Sequence, residues 1–249
     1  MKVLYIAHYK EGTGWSQAAI DYILAMDSVG IDVACRNVSL TGANAELPQR
    51  ILELEQKDIA DAEYCIQHLL PHHLVGSDKF KKNIALFVSE TSSIKMNPWF
   101  VHLEQMDEIW VPSEHLWDSM SRDNINATVK VVPHAFDMAK YNKKYPVMKN
   151  TQTDDTFKFY YIGDLNQRKN IETILRCFHS EFDISEQVSL ILKVNKFGHS
   201  PEQVHQVMDS ISQQIKQDLR MYDDIRMYRP EAILSSRIPE ADLYALHQY

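Results

Sequence analysis

The middle of the chain reads Tyr160-Tyr161-Ile162-Gly163-Asp164-Leu165-Asn166-Gln167-Arg168-Lys169-Asn170. An apolar strand leads into a glycine and a polar turn, and Asn170 can then cap a helix over 171–181. Two adjacent cations, Arg168 and Lys169, stand just before that helix. Because a helix N-terminus presents free N–H groups, two fixed cations beside it suit a diphosphate. The pattern predicts an α/β sheet with a phosphate site at this turn, and a solvated charge pair is the alternative.

The same order of strand, turn and helix start occurs upstream, in Asp107-Glu108-Ile109-Trp110-Val111-Pro112-Ser113-Glu114, where Ser113 is a candidate helix N-cap. Strands are predicted at 2–7, 31–36, 62–67, 83–89, 107–111, 128–132, 157–162, 187–194 and 224–229. Helices are predicted at 15–29, 46–56, 97–105, 113–123, 170–181 and 202–221, with a short one at 239–247. This alternation, with strands that are apolar almost throughout, predicts parallel, doubly wound sheets.

The domain organisation follows from one break in this alternation. Residues 138–156 are rich in Lys, Asn, Thr and Asp and have no periodic apolar face, which is typical of a linker. We therefore place a domain boundary near residue 150, between a domain over 1–150 and a domain over 151–249. The second domain has only about three predicted strands, which is few for an α/β sheet. The predicted fold class is α/β with two Rossmann-like domains, the second incomplete.

Composition narrows the classes of partner. The formal net charge is −8, and an acidic surface disfavours nucleic acid. Cys35, Cys65 and Cys177 lie far apart in apolar segments, so we predict buried free thiols and a reducing, cytoplasmic setting. No apolar run approaches the ~20 residues that a membrane span needs. Peripheral membrane contact stays open.

A glycine loop, Gly12-Thr13-Gly14, follows the first predicted strand. Glycines let a ligand approach the backbone closely, and the following helix start favours an anion. The dinucleotide fingerprint requires a third glycine and a later acid, where this chain has Gln17 and Asn37, so a nicotinamide site is disfavoured. A hydrolase nucleophile at Ser16 is disfavoured too, because a loop separates this serine from its strand. A plain turn is the alternative to a ligand loop.

Polar side chains follow two further strands. His68, His72 and His73 surround a helix-breaking Pro71, so we predict no metal site and interpret them as incidental, although His68 could face a cleft. The segment Ser89-Glu90-Thr91-Ser92-Ser93 ends the most apolar strand, at the sheet edge where ligands bind in α/β folds. Its carboxylate and hydroxyls could bind sugar hydroxyls or handle a proton. A solvated loop is the alternative.

Together these motifs resemble the retaining, nucleotide-sugar-dependent glycosyltransferases of the GT-B fold, in the large family that includes sucrose synthase and the mannosyltransferases of bacterial glycolipid synthesis. The family's first domain opens with a strand and a glycine loop and ends with D-x-hydrophobic-W-V-P-S and V-x-V-V-P-x-G-x-D, which 107–114 and 129–137 match. Its second domain begins with hydrophobic-G-R-L-x-x-x-K-G, which 161–170 match. The matches span nearly the whole chain in the same order.

The resemblance implies that a sugar moves from a nucleoside-diphosphate sugar to an acceptor, whether glycan, lipid or protein, with retention and without an obligatory cofactor. It also implies site residues: catalytic Glu90, Arg168 and Lys169; donor-binding Gly163, Arg168, Lys169 and Asn170; and an acceptor or phosphate loop of Gly12, Thr13, Gly14 and Thr91.

Four departures from the family pattern leave alternatives open. Asp164 replaces the arginine after the glycine, Asn170 replaces the glycine after the lysine, and His134-Ala135 lacks the glycine of P-x-G. The chain also ends before the family's acidic E-x7-E segment, so we expect a donor domain truncated at its C-terminal end. A non-catalytic or fragmentary binding module is the main alternative, and a nucleotide-sugar epimerase is a weaker one. An open sheet edge would also permit a homo-oligomer.

Overall fold

The computed structural model describes residues 1–146 and 156–248. Contacts divide the chain into two compact units, Met1–Met138 and Ala139–Tyr249. The domain boundary that we predict near residue 150 lies outside the described residues.

The first unit is built on a sheet of six parallel strands. They are β1 (Lys2–Ala7), β2 (Asp32–Asn37), β3 (Tyr64–His68), β4 (Lys82–Leu86), β5 (Glu108–Val111) and β6 (Thr128–Val131). Their order across the sheet is β2-β1-β3-β4-β5-β6. All six strands that the sequence predicts for this unit therefore form, and the chain reverses its direction of travel across the sheet between β1 and β3.

Helices and buried side chains cover both faces of this sheet. The helices are α1 (Gly14–Ser28), α2 (Gln49–Glu55), α3 (Phe100–Leu103) and α4 (Glu114–Arg122). Tyr5 and Ile84 belong to the core on one face, and Ala85 and Ile109 to the core on the other. As predicted, Ser113 caps α4, because its side chain accepts a hydrogen bond from the N–H of Leu116.

The second unit contains a parallel sheet with three described strands, in the order β7-β8-β9. The strands are β7 (Phe157–Asp164), β8 (Val188–Asn195) and β9 (Glu231–Leu234), and the helices are α5 (Met138–Asn142), α6 (Ile171–Glu181), α7 (Pro201–Leu219) and α8 (Glu240–Leu246). Alternate residues of β8 face the two sides of the sheet. Leu192 packs in the core with residues of α6 and α7, and Ile191 packs with Leu246 of α8.

Two predictions in this unit are wrong. The strand predicted at 224–229 is a 3-10 turn over Ile225–Met227, because the side chain of Asp224 accepts from the N–H of Arg226 and closes the turn. The strand forms after Pro230 instead, at Glu231–Leu234. Cys177 is exposed, not buried, because it faces an open apolar cavity of about 470 Å³ beside α6. Cys35 and Cys65 are buried as predicted.

Within the described ranges, no helix combines the length and apolar character needed to cross a membrane.

Candidate functional site

In the first unit, the carboxyl ends of β1 and β3 lie side by side where the strand order reverses. Ligands of open α/β sheets bind in the crevice that such a reversal creates. Two segments of the chain lie at this crevice: residues 8–14, which follow β1, and residues 69–73, which follow β3.

The glycine loop forms a well-defined turn, from which α1 begins. Gly12 has φ +69°, and a Cβ there would lie 3.1 Å from Ala45 Cβ, so a side chain would be strained and crowded. Thr13 and Ser16 form a reciprocal capping box. At Gly14, by contrast, a Cβ would meet no atom within 4 Å among the described residues. The backbone at Gly14 is therefore open to an approaching group, whereas Thr13 is engaged in the cap.

His8, the first residue after β1, is fixed by both ring nitrogens. Its Nδ1 lies 2.6 Å from the carbonyl oxygen of Val38, so this nitrogen donates. Its Nε2 then accepts from the N–H of Leu70, at 3.4 Å. The ring of His73 lies 5.6 Å from that of His8, and its buried Nδ1 has no hydrogen-bond partner in the described part of the chain.

His68 brings a second buried imidazole to the crevice. It is 1% exposed, its Nδ1 lies 3.0 Å from the hydroxyl of Tyr5, and its ring lies 4.9 Å from that of Trp15. Burial, together with nearby His134 and His8, lowers the pKa of His68 to about 3. Two of the three histidines that we interpret from sequence as incidental, His68 and His73, thus lie near His8. In residues 1–146 and 156–248, no three His, Cys, Asp or Glu side chains are arranged to hold a metal ion.

A buried carboxylate, that of Asp123 at the C-terminal end of α4, anchors the loop after β4. Asp123 accepts from the hydroxyl of Ser93 at 2.6 Å and from the N–H groups of Ile94 and Lys95 at 2.5 and 3.1 Å. Burial alone would raise the pKa of Asp123, but these three bonds outweigh it and lower the pKa. Glu90 and Thr91 are exposed on the loop so anchored.

In the second unit, Gly163 lies against the side chain of Tyr161. A Cβ at Gly163 would collide with the hydroxyl of Tyr161, so the tyrosine side chain would have to shift to admit a larger residue. Both residues lie on the same face of β7, so the tyrosine ring leans along the strand over the glycine. The hydroxyl is buried and has no hydrogen-bond partner among the described residues. Burial and the Asp164 carboxylate raise the pKa of Tyr161, which therefore stays neutral.

The turn after β7 is organised by Asn166. Its side chain accepts from the N–H of Lys169 at 3.1 Å and donates to Asp164 at 3.0 Å. Asn195, at the end of β8, donates to the other Asp164 oxygen at 3.3 Å. Asp164 therefore ties the ends of β7 and β8 to the turn that carries Lys169.

The cations lie exposed on a 3-10 turn, Gln167–Lys169, and α6 begins two residues after Lys169. Asn170 stands at the N-cap position of α6 with φ +51°, a conformation that favours glycine or asparagine. Asn170 thus occupies the predicted N-cap position, but it does not make the hydrogen bond that an N-cap side chain usually makes. The side chain of Asn170 accepts from the hydroxyl of Thr173 at 2.8 Å and from no backbone N–H of the helix.

The structure groups the predicted residues by unit. Gly163, Arg168, Lys169 and Asn170 lie together after β7; Gly12, Thr13 and Gly14 lie after β1; and Glu90 and Thr91 lie after β4. Sequence reasoning missed His8 and Asn166. The available signal for His8 was its place directly after a predicted strand, and for Asn166 its spacing of three residues before Lys169.

No protein-family model matches the sequence, and no curated protein matches it. Solved structures do resemble the chain. HepE of Anabaena, solved with UDP and glucose, is 15% identical with a TM-score of 0.54, over 99% of this chain and 71% of HepE. An alpha-glucosyltransferase solved with UDP-glucose and DNA containing an abasic site is 12% identical with a TM-score of 0.52, over 99% of this chain and 69% of that protein.

At these identities the likeness shows the fold alone. The chain shares the fold of these glycosyltransferases, which confirms the predicted α/β class with Rossmann-like units of the GT-B type.

Proposed function

We propose that this chain is a glycosyltransferase that takes its sugar from a nucleoside diphosphate and transfers it with retention of configuration. The observation that carries the proposal is the turn over Gln167–Lys169, which Asn166 fixes and on which Arg168 and Lys169 are exposed just before α6. Exposed cations at a helix start are suited to a diphosphate. Because the fold is that of proteins solved with UDP or UDP-glucose, a uridine nucleotide is the first donor to test.

The proposed chemistry is mainly electrostatic. The bond between the anomeric carbon and the diphosphate oxygen breaks, and the nucleoside diphosphate leaves with an added negative charge. Arg168 and Lys169 stabilise this charge as it develops, so the reaction has no obligatory metal in this proposal. The acceptor hydroxyl forms the new bond to the anomeric carbon and loses its proton, for which the exposed carboxylate of Glu90 is the candidate base.

The first unit supplies the acceptor side in this proposal. The open backbone at Gly14 and the hydroxyl of Thr91 are available for polar contacts with the acceptor. The buried thiols Cys35 and Cys65 are consistent with the cytoplasmic setting that we propose.

Donor binding is tested by calorimetric titration of the purified chain with UDP, GDP and ADP and with their sugar conjugates. We expect one base to bind, and Lys169→Ala to weaken binding about tenfold or more, as loss of a charge-assisted contact does. Lys158→Ala is the matched control, since Lys158 lies near the other end of β7, where its Nζ donates to the carbonyl of Thr156. Binding of no nucleotide, or equal binding by both variants, would contradict the donor site.

A binding module without turnover is the second candidate, and Asp164 favours it. Its carboxylate adds a negative charge where the resembling family has a cation, next to the proposed diphosphate site. Donor hydrolysis or transfer, followed by NMR of the anomeric proton, separates the candidates. An α-linked product from an α-linked donor supports a retaining transferase. Tight binding with no turnover on any acceptor supports the module.

A further inference from the structure

One edge of the sheet in the second unit differs from the other sheet edges. β7 has eight residues and, among the described strands, pairs with β8 alone. The other edge strands are short or shielded: β6 and β9 have four residues each, and the one exposed residue of β2 is the charged Asp32. Short or charged edge strands resist pairing with another chain, whereas a long apolar edge strand favours it. β7 is therefore the edge to which a further strand can add.

Alternate residues of β7 present their backbone groups at this edge. The N–H groups of Phe157 and Leu165 donate to carbonyl groups on the side of β8. In a parallel ladder alternate residues bond to the same neighbour, so the odd-numbered residues of β7 face β8. The N–H and C=O groups of Tyr160 and Ile162 therefore point to the open edge, where the described part of the chain supplies no strand.

The surface beside this edge is apolar. Phe157, Phe159 and Tyr160 are 67%, 40% and 42% exposed. Phe159 also lines the cavity of about 470 Å³ beside α6, together with Phe178 and Cys177. A strand that adds to a sheet edge binds through its backbone, and pockets for its side chains provide the specificity. The occupant of this edge is therefore a strand with apolar side chains.

β7 is itself a strand of this kind, and two copies of it match each other. When they pair antiparallel about a two-fold axis at Tyr161, Tyr160 of each copy lies opposite Ile162 of the other. The backbone groups that point to the open edge then meet, and each such pair exchanges two hydrogen bonds. Phe159 lies opposite Gly163, and an aromatic ring across from a glycine covers the exposed backbone.

The charges of β7 select this register. With the axis at Tyr161, Lys158 of each copy lies opposite Asp164 of the other, so two pairs of opposite charge form across the strands. With the axis at Tyr160 or at Ile162, the same lysine would lie opposite an uncharged residue. Charge complementarity thus favours a second copy of β7 in one specific alignment.

We propose that this chain forms a symmetric homodimer in which β7 pairs antiparallel with β7 of a second copy. The described strands of the two copies join into one sheet, in the order β9-β8-β7-β7-β8-β9. The axis is perpendicular to this sheet, so both copies of α6 lie on the same face. Because α6 links β7 to β8, the two helices are separated by two strand spacings, or roughly 10 Å, which is the distance at which helices pack. The cavity beside α6 lies at this seam.

Sedimentation velocity of the full chain, over a range of protein concentrations, tests the dimer. We expect Lys158→Asp to weaken the dimer about tenfold or more, because two attractive pairs become two repulsive pairs. Adding Asp164→Lys to this variant should restore the dimer, since both pairs form again with their charges exchanged. Lys79→Asp makes the same charge change at an exposed lysine of the first unit and should leave the dimer unchanged.

Tyr160→Pro tests the strand pairing itself. Proline removes an N–H that points to the open edge and none that bonds to β8, so the variant should fold, as circular dichroism will show, but remain monomeric. The exposed thiol of Cys177 gives a second readout, because in the dimer it lies at the seam between the two α6 helices. A thiol reagent should modify Cys177 more slowly in the wild-type dimer than in Tyr160→Pro.

The proposal is overturned if the wild-type chain is monomeric at every concentration. A dimer that Lys158→Asp and Tyr160→Pro leave unchanged overturns it too, because that dimer would use another surface. Growth beyond the dimer would also contradict it, since a two-fold pairing of this edge closes the assembly. A folded variant with exchanged charges that stays monomeric, or equal modification of Cys177 in the dimer and in Tyr160→Pro, overturns the proposed register.

Discussion

Substitution of Glu231 by glutamine should remove a large part of the stability of the second unit. Glu231 lies in β9 with a side chain that is 6% exposed. It accepts from the hydroxyl of Ser212 and lies 2.9 Å from Lys216 Nζ, both on α7. His179 Nε2 of α6 lies 3.4 Å from it, in contact but without the alignment of a hydrogen bond. One carboxylate thus joins the third strand to two helices.

The magnitude follows from the pKa of this carboxyl group. Burial alone would raise the pKa, but His179, Lys216 and Ser212 outweigh burial and lower it from 4.5 to about 2. Lowering the pKa of this carboxyl group from 4.5 to about 2 corresponds to about 3 kcal/mol of stability at pH 7. Glutamine keeps the shape of the side chain but loses the charge, so we expect Glu231→Gln to lower the free energy of unfolding by about 3 kcal/mol.

The pH dependence has a definite sign. Because folding lowers the pKa of Glu231, the stabilisation is complete above the unfolded-state pKa of 4.5 and is lost as the pH falls toward about 2. The difference in unfolding free energy between wild type and Glu231→Gln should therefore shrink from about 3 kcal/mol at pH 7 to about 1 kcal/mol at pH 3. Urea denaturation at both pH values, followed by circular dichroism, measures it.

Glu181→Gln is the control, because Glu181 is an exposed carboxylate of α6, and its loss should change stability by less than about 0.5 kcal/mol. The reasoning would be refuted if Glu231→Gln lost less than about 1 kcal/mol at pH 7, or if the loss were the same at pH 3.

Two further predictions concern the turn before α6. Tyr161→Phe removes a buried hydroxyl that has no partner among the described residues, so we expect a gain of about 1 kcal/mol in unfolding free energy; a loss in urea denaturation would show that the hydroxyl is bonded. Asn170→Gly should leave stability within about 0.5 kcal/mol of wild type, whereas Asn170→Ala should lose about 1 kcal/mol, because φ is +51° there. Equal melting temperatures for these two variants would argue against the left-handed conformation.

Strand and helix positions could be predicted where the local pattern and the fold agree. Buried parallel strands have long apolar runs, so β7 and β8 stand out in the sequence. The start of α6 is also recognisable, because a glycine and a polar turn precede it. The third strand of this unit could not be predicted, because Asp224 closes a turn through its own side chain. A hydrogen bond between a side chain and a nearby backbone N–H involves only a few residues, so no periodic pattern in the sequence reveals the turn that it closes.

The candidate site was predictable only in part. Arg168 and Lys169 carry a local signature, so sequence identifies them without knowledge of the fold. The convergence of His8 with His68 depends on the order of the strands, which places β1 beside β3 although about sixty residues separate the two histidines.

The place of β1 in the sheet has a consequence for how the first unit assembles. β1 is synthesised before both of its partners, β2 and β3, and it pairs with each of them as a parallel strand. Neither ladder can close until a crossover helix or long connection has followed, which makes the contacts non-local and their formation slow. During synthesis, the strand that leads into His8 is therefore enclosed on both sides only after residues 64–68 have been made.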